Sequence, residues 1–94
     1  MRKWNELEFE WDEEKAAANW IKHGVRFETA AHVFEDKNLL EYYDGAHSDG
    51  EERYQVIGKV NKILFVVYTE RKERIRLISA RKATKLERRR YLDR

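Results

Sequence analysis

The sequence predicts an α+β domain: an antiparallel β-sheet with two N-terminal helices packed on it and a short, basic C-terminal helix. Three observations carry this. Leu7, Phe9 and Trp11 alternate with acidic residues, the period-two pattern of a strand with one buried face. Two stretches then place apolar residues at helical spacing. Four strand-like runs and a last capped helix follow. The order β-α-α-β-β-β-β-α fits one domain spanning residues 1–94, with helices gathered mainly on one face of the sheet.

Asp12 is placed to cap the first helix, with Glu13 and Glu14 suited to the positive end of its dipole. Ala16, Ala17, Trp20 and Ile21 share one helical face, and Gly24 marks the stop after Lys22 and His23. Phe27, Ala30, Ala31 and Phe34 define a second short helix. Leu39 to Tyr43 reads as a strand, Asp44 to Glu51 as a polar loop with two glycines, and Arg53 to Gly58 as the next strand. Val60-Asn61-Lys62 turns into Ile63–Thr69, which is apolar on both faces and therefore expected at the centre of the sheet. Glu70 to Glu73 turns into Arg74–Arg81. Thr84-Lys85-Leu86-Glu87 matches a capping box and opens the basic helix.

The net charge of +2 hides a strong asymmetry. Glu70 to Arg94 holds 11 Lys/Arg against 4 Asp/Glu, so +7; the rest holds 9 against 14, so −5. Such polarity points to an anionic partner for the C-terminal quarter, or to an acidic half docked internally on a basic half. With no cysteine there is no disulfide and no thiolate ligand. The longest apolar run, Ile63 to Tyr68, has six residues against the ~20 that span a bilayer, and Met1 to Glu6 lacks the apolar stretch of a signal peptide. A cytoplasmic protein is expected. A Gly-rich phosphate loop, a nucleophile elbow and an H-E-x-x-H motif are all missing, and His23, His32 and His47 lack metal-ligand spacing, so no metal or cofactor is expected.

Candidate chemistry centres on Arg74 to Arg81, with Arg71 before it and Lys82 to Arg94 after it. Arginine holds phosphate bidentately and stays charged; the same residues read equally as solvated strand margins. Arg53 suits a phosphate cluster or a pairing with Glu51 or Glu52, which as neighbours on a strand point to opposite faces. His47, in the polar loop, suits proton transfer or a local surface hydrogen bond. His23 suits a functional role or a helix C-terminus, and His32 a structural one. Arg88, Arg89 and Arg90 span most of a helical turn and cannot all face one ligand. Tyr91 either stacks on a base or seats the last helix.

Several stretches taken together match a known pattern. Phe9-Glu10-Trp11-Asp12 with Lys15-Ala16 and Asn19, Lys22-His23-Gly24-Val25 with Phe27-Glu28, and Val33-Phe34 with Asp36 come first. His47-Ser48 with Glu51-Glu52-Arg53, Ile57-Gly58, and Val66-Val67-Tyr68-Thr69 with Arg71 follow. Arg76 to Arg81, Lys82-Ala83-Thr84 and Glu87-Arg88-Arg89 complete the set. Over nearly its whole length the chain resembles BrnT-type toxins of bacterial type II toxin–antitoxin systems; Ile-Ser-Ala-Arg-Lys-Ala before a basic helix is the most specific part. Lys37 departs from the pattern, which often has proline there.

The resemblance implies a RelE-like fold and a ribonuclease that arrests growth by cutting RNA. It also implies a cognate ribbon-helix-helix antitoxin, a hetero-oligomer with it, and operator DNA bound only through that complex. Cleavage would be metal-independent, with the ribose 2′-hydroxyl as nucleophile. For the phosphate the expected residues are Arg71 and Arg81, then Arg53 and Arg76; for proton transfer His47, with Lys22 and His23 as alternatives. Lys82, Arg88 and Arg89 would contact RNA, and Tyr91 would stack on a base. Arg71, Arg81 and His47 are expected to converge in one cationic pocket. The competing reading is a non-catalytic basic module that binds RNA or an acidic protein.

Overall fold

The computed structural model describes residues 8–48 and 50–93. Leu7 at the head of the expected first strand, Met1 to Glu6, Asp49 of the polar loop and Arg94 lie outside them. The elements are β1 (Glu8–Glu10), α1 (Glu13–His23), α2 (Phe27–Ala31) running into a 3-10 turn at His32–Glu35, and β2 (Leu40–Tyr43). A 3-10 turn at Gly45–His47, β3 (Arg53–Val60), β4 (Lys62–Arg71), β5 (Arg74–Lys82) and α3 (Lys85–Leu92) complete them. Among the described residues no helix is long and apolar enough to cross a membrane.

The sheet order is β1-β5-β4-β3-β2, so β4 is central, as its two apolar faces require. Strands β2 to β5 pair antiparallel, but β1 runs parallel to β5. The sheet is therefore mixed, which corrects the antiparallel expectation. Alternation reports that a strand has a buried face; it carries no information about which neighbour it pairs with, or in which direction. The pairing joins the two charge halves. Arg74 Nε lies 2.9 Å from Glu8 Oε2, and Arg76 Nη1 lies 2.6 Å from Glu10 Oε2.

Register decides which residues share a face. A β-bulge interrupts the β4–β5 pairing at Val67/Tyr68: Val67 opposes Ser79, but Tyr68 opposes Leu77, leaving Ile78 as the extra residue. In an unbroken strand Arg76 and Arg81, five apart, would point to opposite faces. The bulge puts both on the outer face and turns Ile75, Leu77 and Ala80 inward, where all three are buried.

The inner face packs on α1, α2 and the following 3-10 turn. Phe27, Val33, Phe34, Val56, Val66 and Tyr68 fill that core. The Phe34 ring meets Phe9 at 5.4 Å and Tyr68 at 5.2 Å between centroids. Gly58 admits this packing: a Cβ there would fall 2.9 Å from Leu39 and 3.0 Å from Val33.

Helix α1 has the expected ends. Asp12 accepts the Glu14 and Lys15 amides, and Gly24, at φ 68°, returns its N–H to the Trp20 carbonyl. Its buried face differs from the expected one. Trp20 and Ile21 are 45% and 84% exposed, while Asn19 is buried, with Ala16 and His23 half-buried on the same side. The cause is the short β1, which pairs with β5 only over Arg74–Arg76 and leaves the β5 edge open at Ala80. The Asn19 amide closes that edge. It donates to the Ala80 and Val25 carbonyls at 2.8 and 2.9 Å and accepts the Ala80 N–H at 3.0 Å. A burial that would strand three backbone groups is thereby satisfied.

Helix α3 opens on the expected capping box between Thr84 and Glu87 and packs against β3. Tyr91 is buried and donates its hydroxyl to Asp36, so it seats the helix. Its ring offers no exposed plane to a base, which corrects the stacking expectation.

Candidate functional site

The outer face of the sheet carries the arginines in rows. One row runs Arg53, Thr69, Arg76 and Glu10 across β3, β4, β5 and β1; the next holds Arg71, Arg74 and Glu8. Thr69 is buried, its hydroxyl bonded to the Glu52 carbonyl at 2.6 Å, which fastens the loop end beside the row. Two arginines share one carboxylate: Arg71 Nη2 is 3.4 Å and Arg53 Nε 3.9 Å from Glu51. The second distance is too long for a hydrogen bond. Among the described residues the buried Arg53 Nε has no hydrogen-bond partner, an orphaned donor beside a shared counter-ion.

The turn joining β4 to β5 sets the second row. Lys72 and Glu73 both have positive φ, 51° and 67°, in a two-residue connection that holds Arg71 directly opposite Arg74. Neither is glycine, so the backbone there is strained.

The loop before β3 brings a histidine to these arginines. The Asp44 amide donates to the Arg53 carbonyl at 2.9 Å, and Ser48 Oγ accepts the Arg53 N–H at 2.9 Å while donating to the Asp44 carbonyl. Between these two ties stands His47, its Nδ1 at 3.0 Å from Asp44 Oδ1, its side chain largely exposed. Asp44 is buried. Burial opposes its ionisation, but hydrogen bonds from His47 and Gln55 and the charge of His47 outweigh that and hold the carboxyl below its usual value. Gln55 is two residues from Arg53 on the same strand, hence on the same face, so the Asp44–His47 pair sits on the arginine-bearing side. With Nδ1 engaged by a carboxylate, Nε2 is left to face a ligand. Glu51 is one of the two glutamates expected as a partner of Arg53, whereas Asp44 was missed by the sequence reading; the i, i+3 spacing of Asp44 and His47 around a glycine was the signal available.

The other expected site residues lie elsewhere. Arg81 is on the same face, but its partner across the ladder is Phe65, six residues from Arg71 on β4, about 20 Å at ~3.3 Å per residue. It lies over the Phe65 ring at 4.1 Å and grips Glu87 with two bonds of 2.8 and 2.9 Å. Glu87 in turn keeps the Arg81 guanidinium more firmly protonated than usual, despite partial burial. The single pocket expected for positions 47, 71 and 81 is thus split: His47, Arg53, Arg71 and Arg76 gather at one end of the face, Arg81 at the other. Lys22 and His23 end α1, in the helical layer on the opposite side of the sheet. Lys82 opposes Leu64 and shares its inward-facing side. Arg88 and Arg89 are exposed on α3. Among the described residues no three His, Asp or Glu side chains are grouped to hold a metal ion.

A family model described as the ribonuclease toxin BrnT of type II toxin–antitoxin systems matches residues 11–87. The crystal structure of the Brucella abortus ribonuclease toxin BrnT superposes with a TM-score of 0.66 at 24% identity, covering 84% of this chain and 99% of that one. At that identity the likeness speaks to the α+β fold. Comparison with curated proteins found no match.

Proposed function

The chain belongs to the BrnT family of ribonuclease toxins of type II toxin–antitoxin systems, and on that premise we propose that it cleaves RNA at the His47 end of the outer sheet face. Membership implies an RNA target and an antitoxin partner. The observation that carries the proposal is the tethering of the Asp44–His47 pair to Arg53, whose buried Nε lacks a partner and whose counter-ion is shared with Arg71.

In this reading the scissile phosphate takes the place that one glutamate fills poorly for two guanidiniums. Arg53 and Arg71 hold its non-bridging oxygens and stabilise the charge that builds on them, with Arg76 alongside. Asp44 fixes the imidazole tautomer so that Nε2 takes the proton from the ribose 2′-hydroxyl. The 2′-oxygen attacks phosphorus, the bond to the 5′-oxygen breaks, and water protonates that oxygen. No metal is needed for these steps. The antitoxin is a cognate ribbon-helix-helix protein, and the complex, not the free toxin, binds operator DNA.

Purified protein incubated with single-stranded RNA in EDTA should yield fragments ending in 2′,3′-cyclic phosphate and 5′-hydroxyl. Intact RNA that nonetheless binds the protein in a salt-dependent way would replace the enzyme by a non-catalytic binding module.

A further inference from the structure

A second cationic hollow lies at the far end of the sheet, on its inner side, away from His47. It has a volume of about 330 Å³ and is walled by Trp20, Arg26, Thr29, Asn61, Lys62 and Lys82, over an apolar floor of Val25 and Leu64. That size is within the ~300–1,000 Å³ common for small-ligand sites.

Its chemistry is one-sided. Among the described residues three cations and no carboxylate line it. Lys62 and Lys82 both belong to the side of the sheet that carries Val60 and Leu64, and they end adjacent strands. They are close enough that Lys62, by hydrogen bonding and by charge, with some desolvation, pulls the Lys82 ammonium below its usual value. Neither lysine has an acidic partner among the described residues, whereas Arg71, Arg74, Arg76 and Arg81 on the outer face all do. Like charges held together with no counter-ion leave room for an anion. Beside them Arg26 lies 4.3 Å above the Trp20 ring and has no ion-pair partner among the described residues, so the hollow also has a flat guanidinium backed by an indole. Unpaired bases rest on such planes. Thr29 and Asn61 add hydroxyl and amide groups that can meet a base edge or a ribose.

We infer that this hollow binds one ribonucleotide, its phosphate between Lys62 and Lys82 and its base against the Arg26–Trp20 stack. A carboxylate-bearing peptide would satisfy the two ammoniums but leave the stack and the compact floor unused. The inference stands on the hollow alone and does not depend on the cleavage reading.

The test is calorimetric titration of the whole chain with 5′-AMP, adenosine, inorganic phosphate, a glutamate-rich peptide and a 2′-O-methyl oligonucleotide that cannot be cut. 5′-AMP should bind at least tenfold more tightly than adenosine or phosphate. Lys62→Gln with Lys82→Gln should weaken 5′-AMP at least tenfold. Trp20→Ala should bring 5′-AMP down to the level of phosphate without moving phosphate itself, and Trp20→Phe should restore part of the loss. These side chains are exposed or at strand ends, and thermal melts check that each variant folds. An oligonucleotide weakened by the same factor identifies a unit of an RNA chain as the ligand; an oligonucleotide left unchanged identifies a free nucleotide. The inference is overturned if 5′-AMP binds no better than adenosine, if the lysine variants bind it unchanged, or if only an acidic peptide responds to those variants.

Discussion

The two ends of the arginine-bearing face use the same residue type in opposite ways. At the Arg81 end the guanidinium is spent: one carboxylate meets it bidentately, a ring lies beneath it, and Glu87 is itself tied into the α3 cap. At the Arg53 end two guanidiniums divide one half-exposed glutamate at 3.4 and 3.9 Å, and a buried donor is left over. A cation whose hydrogen-bonding capacity is filled holds the fold together. One whose capacity is unfilled is free to hold a ligand, and only the second kind can stabilise charge that appears during a reaction.

The sharpest break in this contrast is at His47. His47→Ala should lower RNA cleavage by about 10²–10⁴-fold, the usual worth of a positioned acid–base group, in a protein that still folds cooperatively. Cleavage within threefold of the parent would remove His47 from the site. Next, Arg53→Ala should cost about 10²–10³-fold in kcat with little effect on stability. Arg81→Ala should do the reverse: cleavage within about tenfold, but a folded state weaker by roughly 1.5–3 kcal/mol, as for a lost charged hydrogen bond. Single-turnover kinetics and urea melts on the two variants decide this, and an Arg81→Ala protein that folds fully yet does not cleave would merge the two ends into one site.

A smaller effect concerns acid. Burial opposes the ionisation of Glu87, but Arg81 and the Thr84 amide together hold its carboxyl below the ordinary 4.5. A carboxyl depressed by folding contributes stability above its unfolded value, lost as pH falls through the lower folded one. Glu87→Gln should therefore cost about 1 kcal/mol near neutrality, and the gap to the parent should close as the pH drops through and below 4.5. A gap that is constant with pH would mean the charge is irrelevant to the cap. The smallest effect is at the turn behind Arg71. Glu73, at φ 67°, is strained, and Glu73→Gly should raise stability by about 1 kcal/mol. If cleavage falls at the same time, the strain itself is aligning Arg71 and Arg74.

Much of the fold was legible because local chemistry dictates it. Asp12, Gly24 and the Thr84–Glu87 box end their helices through backbone hydrogen bonds that depend on a few neighbouring residues. The two-sided apolarity of β4 fixes its central place. The rest depends on contacts between distant positions. The parallel docking of β1 brings Glu8 and Glu10 to Arg74 and Arg76, far along the chain, and the inward turn of Asn19 meets an open edge at Ala80. The turn between β4 and β5 was legible, but its positive-φ geometry at Lys72 and Glu73 was not, since no glycine announces it. The site was legible as a set of residue types, arginines and one loop histidine. Its division was not, because Arg76 and Arg81 differ in parity, and only the bulge at Ile78 brings them to one face, while the glutamates that claim the arginines come from three different segments.

The parallel seam between β1 and β5 also sets a clock. Glu8 and Glu10 meet partners 66 positions further along the chain. At ~5–20 residues per second of translation, roughly 3–13 s pass between the making of one side of the seam and the other. For those seconds a nascent chain has the acidic edge strand but not Arg74, Arg76 and Arg81, so the outer face gains its charge well after its first strand is made.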